Sequence, residues 1–206
     1  MLSKIIRKLP YFLLTIATNL PKLTLADRLL LISFDGFRWD YLKTYAKQTR
    51  NIQQLAKKGV QAEYLTNQFI TKTFPNHFSI VTGLFEESHG LISNHFYDPI
   101  LKKPCSYCNQ EEFFTEEPYQ TVVEPIWKTL ESQTLKKAAV YYWPGSDIPG
   151  LTPYYYVSPY DASVSFKTRA DQVIKWLRDD DISLIALYSH EPDRQGHKHG
   201  PNSNEV

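Results

Sequence analysis

The sequence predicts an α/β fold built on a largely parallel sheet, and three observations predict it. Leu29–Phe34 and Ile182–Tyr188 are short, continuous apolar runs, the pattern of strands buried on both faces. Helix-like stretches with apolar residues at 3.6-residue spacing lie between the strand-like ones. No internal repeat or low-complexity linker interrupts the alternation, which is the signature of strand–helix–strand units.

The elements follow in order. Leu29–Phe34 is the first strand. Residues 41 to 58 read as a helix, with Ile52, Leu55 and Ala56 on one face and Gly59 as the stop. Val60 to Leu65 is strand-like, and Asn76 to Thr82 fits a short helix ended by Gly83. Lys102 to Pro118 is polar, Pro-punctuated and expected to run over the surface. Pro125 opens a helix through Gln133, and Ala138 to Tyr142 is the next strand. Ser163 to Arg178 carries Phe166, Ala170, Val173, Ile174 and Leu177 on one helical face. It leads into Ile182–Tyr188, after which the His-rich stretch from His190 to His199 reads as a loop. Tyr154, Tyr155 and Tyr156 read as packing residues in preference to a base-stacking platform.

Composition narrows the function. The 206 residues suffice for one sizeable core, and 23 basic against 22 acidic side chains give a net charge of +1. With no basic stripe, binding to a nucleic-acid polymer is not expected. Residues 1–26 have the form of a signal peptide: basic Lys4, Arg7 and Lys8, an apolar run from Tyr11 to Ala17, and small residues ending at Ala26. Secretion or display at the cell surface is therefore expected, with a mature chain starting at Asp27. Cys105 and Cys108, in Cys-Ser-Tyr-Cys, are too few for a Cys-only zinc site. In an oxidising compartment they are open to a small-loop or an external pairing.

Chemistry concentrates beyond the carboxyl ends of the strands, where such sheets bind ligands. The first strand runs into Asp35-Gly36, and the last into His190-Glu191-Pro192-Asp193, with His197 four residues on. Carboxylate and imidazole together suit Zn²⁺. Taken singly, Asp35 equally fits a helix N-cap, and Asp193 with His197 a polar loop. Thr73 precedes the short helix predicted from Asn76, where backbone N–H groups favour an anion. It reads either as an N-cap or as a hydroxyl nucleophile activated by a metal.

Four blocks in this order resemble the ectonucleotide pyrophosphatase/phosphodiesterase family of the alkaline phosphatase superfamily. They are Phe34 to Arg38, Thr71 to His77, Thr82 to Asn94 and Glu191 to His197, with weaker echoes at Tyr97-Asp98-Pro99, Pro125-Ile126-Trp127 and Trp143 to Ser146. The resemblance implies two zinc ions, one held by Asp35 and Thr73 and the other by Asp193 and His197. It implies Thr73 as the nucleophile, Asn94 as donor to a phosphate oxygen, and Phe74 as part of the nucleotide pocket. The reaction it implies is hydrolysis of extracellular nucleotide phosphodiester or pyrophosphate bonds. A covalent nucleotidyl-threonine would form and be released by a zinc-activated water.

The family's remaining zinc ligands, an Asp-His pair and a later His, would lie downstream of the Glu191–His197 block. No Asp-His dipeptide occurs in the 206 residues. Each zinc is thus left with two ligands where a catalytic site normally has three; neither His190 nor His199 is expected to substitute. The expectations that follow are a longer functional protein, of which 27–206 is the N-terminal part of the phosphodiesterase catalytic domain, a sheet with an exposed edge and a chain that is unstable or inactive alone, with a membrane anchor possible downstream of Val206. A truncated non-catalytic member, or a phosphodiesterase acting on choline phosphodiesters or lysophospholipids, are the alternative readings. The absence of Cys-rich modules ahead of the domain fits the family's single-domain branch.

Overall fold

A computed structural model of the protein describes residues 28–100, 102–106 and 123–206. The signal-peptide reading of residues 1–26 and the position of Cys108 lie outside them. Strand β1 (Leu29–Phe34) is followed by helices α1 (Tyr41–Thr44), α2 (Arg50–Lys58), α3 (Thr73–Thr82) and α4 (Glu86–His89). A small hairpin, β2 (His95–Asp98) and β3 (Lys103–Ser106), precedes α5 (Ile126–Gln133) and β4 (Lys137–Tyr141). The remaining elements are β5 (Tyr155–Val157), α6 (Phe166–Trp176), β6 (Ile182–Ser189) and α7 (Asp193–His199).

The main sheet is parallel throughout, in the order β1-β6-β4-β5. Strand β6 sits between two neighbours, Ala186 lying in register with Leu31 on one side and Val140 on the other. That central place is why its sequence is a continuous apolar run, with Ile182, Ile185 and Leu187 all buried. Trp127 of α5 and Val173 of α6 close the core against it. Strand β1 lies at the edge of the sheet, and its Leu29, Leu30 and Ile32 are 52%, 36% and 42% exposed.

The expected helix over 41–58 is two helices. Only its second half carries the helical apolar spacing, and the chain turns at Tyr45, where Tyr41 and Tyr45 pack edge to face 5.3 Å apart. Val60–Leu65 is not a strand. A strand needs a paired edge, and Val60 and Leu65 stand in the open at 100% and 75% exposure. The short helix starts at Thr73, three residues before the expected Asn76, and ends as expected at Gly83 in the left-handed conformation. Within the expected surface excursion, Lys103–Ser106 pairs antiparallel with β2, burying Cys105. The His-rich stretch is the helix α7, because the Asp193-to-His197 spacing is a helical i,i+4.

Arg169 of α6 is 1% exposed, yet among the described residues no carboxylate side chain bonds to it. Its guanidinium donates to the carbonyls of Val164, Tyr188 and Asp161 and lies 4.9 Å from the centre of the Tyr142 ring. Carbonyl dipoles and an aromatic face replace the water it lost. The bond to Tyr188 O anchors the carboxyl end of β6, beyond which Asp193 and His197 follow.

Two predictions follow from local structure. Ser165 caps α6 by accepting from the Thr168 N–H at 3.1 Å, so Ser165→Ala should lower the unfolding free energy by about 1 kcal/mol in urea titration. His89 is buried and accepts the Leu91 N–H at Nδ1, leaving Nε2–H to donate to Ser79 Oγ. Burial holds its pKa below the ordinary 6.5, so the unfolded chain takes up a proton that the folded one refuses. Stability should therefore fall as pH drops below 6.5, and His89→Gln should flatten that slope in urea midpoints measured across it.

Candidate active site

The site is assembled where β1 and β6 end side by side. Past the last paired residues, Phe34 and Ser189, Asp35 N–H donates to Ser189 O at 2.9 Å. Asp35 O then accepts from Asp193 N–H at 2.9 Å, so the backbone pairing carries on into the first turn of α7. Gly36 makes that approach possible. Its φ is +67°, and a Cβ there would lie 2.6 Å from Asp193 Cα. Only glycine admits both the backbone angle and the contact.

The Asp35 carboxylate gathers three donors. Gly36 N–H reaches Oδ1 at 3.0 Å, while Thr73 Oγ1 at 3.1 Å and Tyr188 OH at 2.8 Å share Oδ2. Thr73 is the first residue of α3, and the N-cap is Lys72, which makes no side-chain cap bond. The N-cap reading of Thr73 is therefore excluded: its hydroxyl faces Asp35 and not the helix. Asp35 is likewise no cap, since it sits at a strand end and its carboxylate serves other elements. Asn94 accepts the Phe74 N–H at Oδ1, 3.0 Å, which ties the loop before β2 to the first turn of α3.

On the other side, Asp193 and His197 share one face of α7, His197 Nε2 standing 3.5 Å from Asp193 Oδ1. Burial raises the Asp193 pKa, and the nearby Asp35 carboxylate raises it further. Two carboxylates held together in a half-buried cleft favour a cation. Asp35, Thr73, Asn94, Asp193 and His197 all line that cleft, with Gly36 at its floor. The donor types fit zinc, but as two partial pairs. Among the described residues no group of three or more His, Cys, Asp or Glu gathers into a metal site. His190 does not complete one: its Nδ1 meets Tyr160 OH at 2.7 Å and faces Arg169, away from the cleft.

Sequence reasoning missed two supporting residues. Tyr188 reads as one more apolar member of β6, but burial and the Asp35 charge push its phenol far above its ordinary pKa, so it remains a donor to Asp35. His77 bridges the two halves: Nδ1–H donates to Thr73 O at 2.7 Å, and Nε2 accepts from Ser33 Oγ at 2.8 Å. The available signal was position, because Ser33 and Tyr188 lie in register at the ends of paired strands.

Residues 29–206 match the family model described as type I phosphodiesterase/nucleotide pyrophosphatase. The bis(5'-adenosyl)-triphosphatase of Mus musculus is 47% identical over 184 residues, covering 87% of this chain and 39% of that protein. Ectonucleotide pyrophosphatase/phosphodiesterase family member 5 of Homo sapiens is 40% identical over 86% of this chain and 36% of its own length. The structure of murine ectonucleotide pyrophosphatase/phosphodiesterase 5 superposes with a TM-score of 0.73 at 42% identity, over 85% of this chain and 46% of that one. A threonine-to-alanine form of the same murine protein, described as inactive and in complex with AMP, gives 0.73 at 41% identity. The chain thus spans less than half the length of these relatives.

Gly36→Ala tests the geometry. Positive φ and the contact with Asp193 should together cost at least about 2 kcal/mol of stability. Amide hydrogen exchange at Asp193, whose N–H bonds to Asp35 O, should quicken with it as Asp193 is forced away from Asp35.

Proposed function

The chain belongs to the type I phosphodiesterase/nucleotide pyrophosphatase family, and from that premise we propose that it supplies the nucleophile and part of the metal-ligand set of an enzyme hydrolysing phosphodiester and pyrophosphate bonds of extracellular nucleotides. One observation carries the reading: the Thr73 hydroxyl, at the first residue of a helix, is aimed at a carboxylate in an open cleft. A helix start favours the charge of a phosphoryl group, and the carboxylate orients the hydroxyl proton.

Asp35 and Thr73 would hold one Zn²⁺, and Asp193 and His197 the other. Bound there, zinc would lower the hydroxyl pKa and offset phosphate charge. Thr73 Oγ1 forms a bond to phosphorus as the bond to the leaving group breaks, and its proton departs along the hydrogen bond to Asp35 Oδ2. Water then forms a bond to phosphorus as the phosphorus–Oγ1 bond of the nucleotidyl-threonine breaks, and the departing Thr73 oxygen regains a proton, water giving up one, so that the hydroxyl is restored beside Asp35. Two in-line displacements leave the phosphorus configuration retained. Because Asn94 Oδ1 is occupied by Phe74 N–H, the Asn94 amide N–H₂ is the part left to donate to a phosphate oxygen. The Phe74 ring would form part of the nucleotide pocket. Tyr188 holds the carboxylate that Thr73 addresses.

The murine relative that is inactive as a threonine-to-alanine form and binds AMP supports this assignment. The relatives named for bis(5'-adenosyl)-triphosphate make dinucleoside polyphosphates the first substrates to try. The signal-like residues 1–26 support an extracellular setting. Among the described residues no helix is long and apolar enough to cross a membrane.

The test is turnover of a nucleotide phosphodiester with zinc present, by a longer protein in which this sequence is joined to a third ligand for each ion. Thr73→Ala should reduce it by about a thousandfold or more while zinc uptake through Asp193 and His197 persists. Turnover unchanged in that variant would remove Thr73 as nucleophile. With only two donors for each metal, this chain by itself should turn over far more slowly than one given a third ligand at each ion.

A further inference from the structure

Residues 60–72 form the wall of the cleft beside Thr73, with Gln61, Tyr64, Leu65 and Gln68 among its lining. Neither regular structure nor burial fixes this wall. It contains no helix or strand, and Val60, Tyr64, Leu65 and Phe69 are 100%, 61%, 75% and 100% exposed. Something else must hold it in register with the nucleophile.

The Asn76 carboxamide makes the connection. Its Oδ1 accepts the Gln68 N–H at 2.8 Å, and its Nδ2 donates to Ile70 O at 3.0 Å and Lys72 O at 2.9 Å. Both amide protons and the carbonyl are thus committed to the five residues that lead into Thr73. The start of α3 needs that help. Lys72 offers no side-chain cap, Pro75 has no N–H, and the first main-chain bond, Asn76 N–H to Lys72 O, is long at 3.3 Å. We propose that Asn76 is a positioning residue, a latch whose carboxamide ties the cleft wall at Gln68–Lys72 to the first turn of α3 and so sets the aim of the Thr73 hydroxyl at Asp35.

The residue type follows from the bonding pattern. An aspartate would keep the acceptor for Gln68 N–H but would turn carboxylate oxygen towards two carbonyls, so the wall would lose its tie at Ile70 and Lys72. Alanine would lose all three bonds. The proposal rests on Thr73 being the nucleophile, which the Thr73→Ala turnover assay tests separately; the latch itself is read without turnover.

The experiment compares the chain with Asn76→Ala and Asn76→Asp by amide hydrogen exchange and by the NMR signal of the Thr73 methyl group. In Asn76→Ala, exchange at Gln68 should accelerate at least about tenfold while β4 and β6 keep their protection. In Asn76→Asp, Gln68 should stay protected. In both variants the Thr73 methyl signal should shift or broaden, while that of Thr134, which precedes the opposite end of β4, should not move. Unchanged Gln68 exchange in Asn76→Ala would overturn the latch. Faster exchange with an unmoved Thr73 signal would overturn the positioning role. If Asn76→Ala fails to fold, Asn76→Asp decides the matter, and an unmoved Thr73 signal there overturns the proposal.

Discussion

The site depends on the pairing of two parallel strand ends. β1 and β6 run side by side, and their hydrogen bonding continues beyond the sheet through Asp35, whose N–H meets Ser189 O and whose carbonyl meets Asp193 N–H. That single residue converts sheet register into site geometry. Its carboxylate lies between Thr73, delivered by α3, and Tyr188, delivered by β6. A slip of the β1–β6 register by one residue would turn the Tyr188 side chain to the opposite face, away from Asp35. The apolar residues of the central strand therefore set the position of the polar ones at its end.

Around this junction, groups without catalytic chemistry supply rigidity. Arg169 binds the Tyr188 carbonyl from beneath, and Trp143 donates through its ring N–H to His77 O at 3.1 Å. His77, kept neutral by burial, spans from Ser33 on β1 to Thr73 on α3. Thr73 is thus braced from the sheet by His77, and its helix is bonded to the cleft wall through Asn76. Like charge is concentrated where β1 and α7 meet, and burial there raises the cost of holding two carboxylates together. Such a site favours a divalent cation, and its partial donor pairs agree with a chain that covers less than half the length of its relatives.

Much of this was legible in the sequence. The strands β1, β4 and β6 and the helices α5 and α6 stand where apolar runs and helical spacing place them. The ordered motif blocks pointed to Asp35, Thr73, Asn94, Asp193 and His197, which the fold brings into one cleft. What periodicity misread were segments whose state is decided by partners. Val60–Leu65 has strand-like composition but no edge to pair with, and α7 is helical with polar residues all round, a pattern that gives no amphipathic signal. The hairpin of β2 and β3 was hidden within polar, Pro-containing sequence.

Local sequence, then, determined which segments become core strands and helices, because burial acts on each residue through its own side chain and repeats with the period of the element. It also determined the chemical kind of the site, since carboxylate, hydroxyl and imidazole keep their ligand preferences in any setting. The tertiary structure alone decided that Thr73 is the first helical residue and not its cap, that Tyr188, packed in the core, also serves a carboxylate through its hydroxyl, and that His190 turns to Tyr160 and Arg169. Those outcomes hang on distances of about 3 Å between residues as much as 153 positions apart. Such distances are fixed by the packing of the whole sheet and are written in no local stretch of the chain.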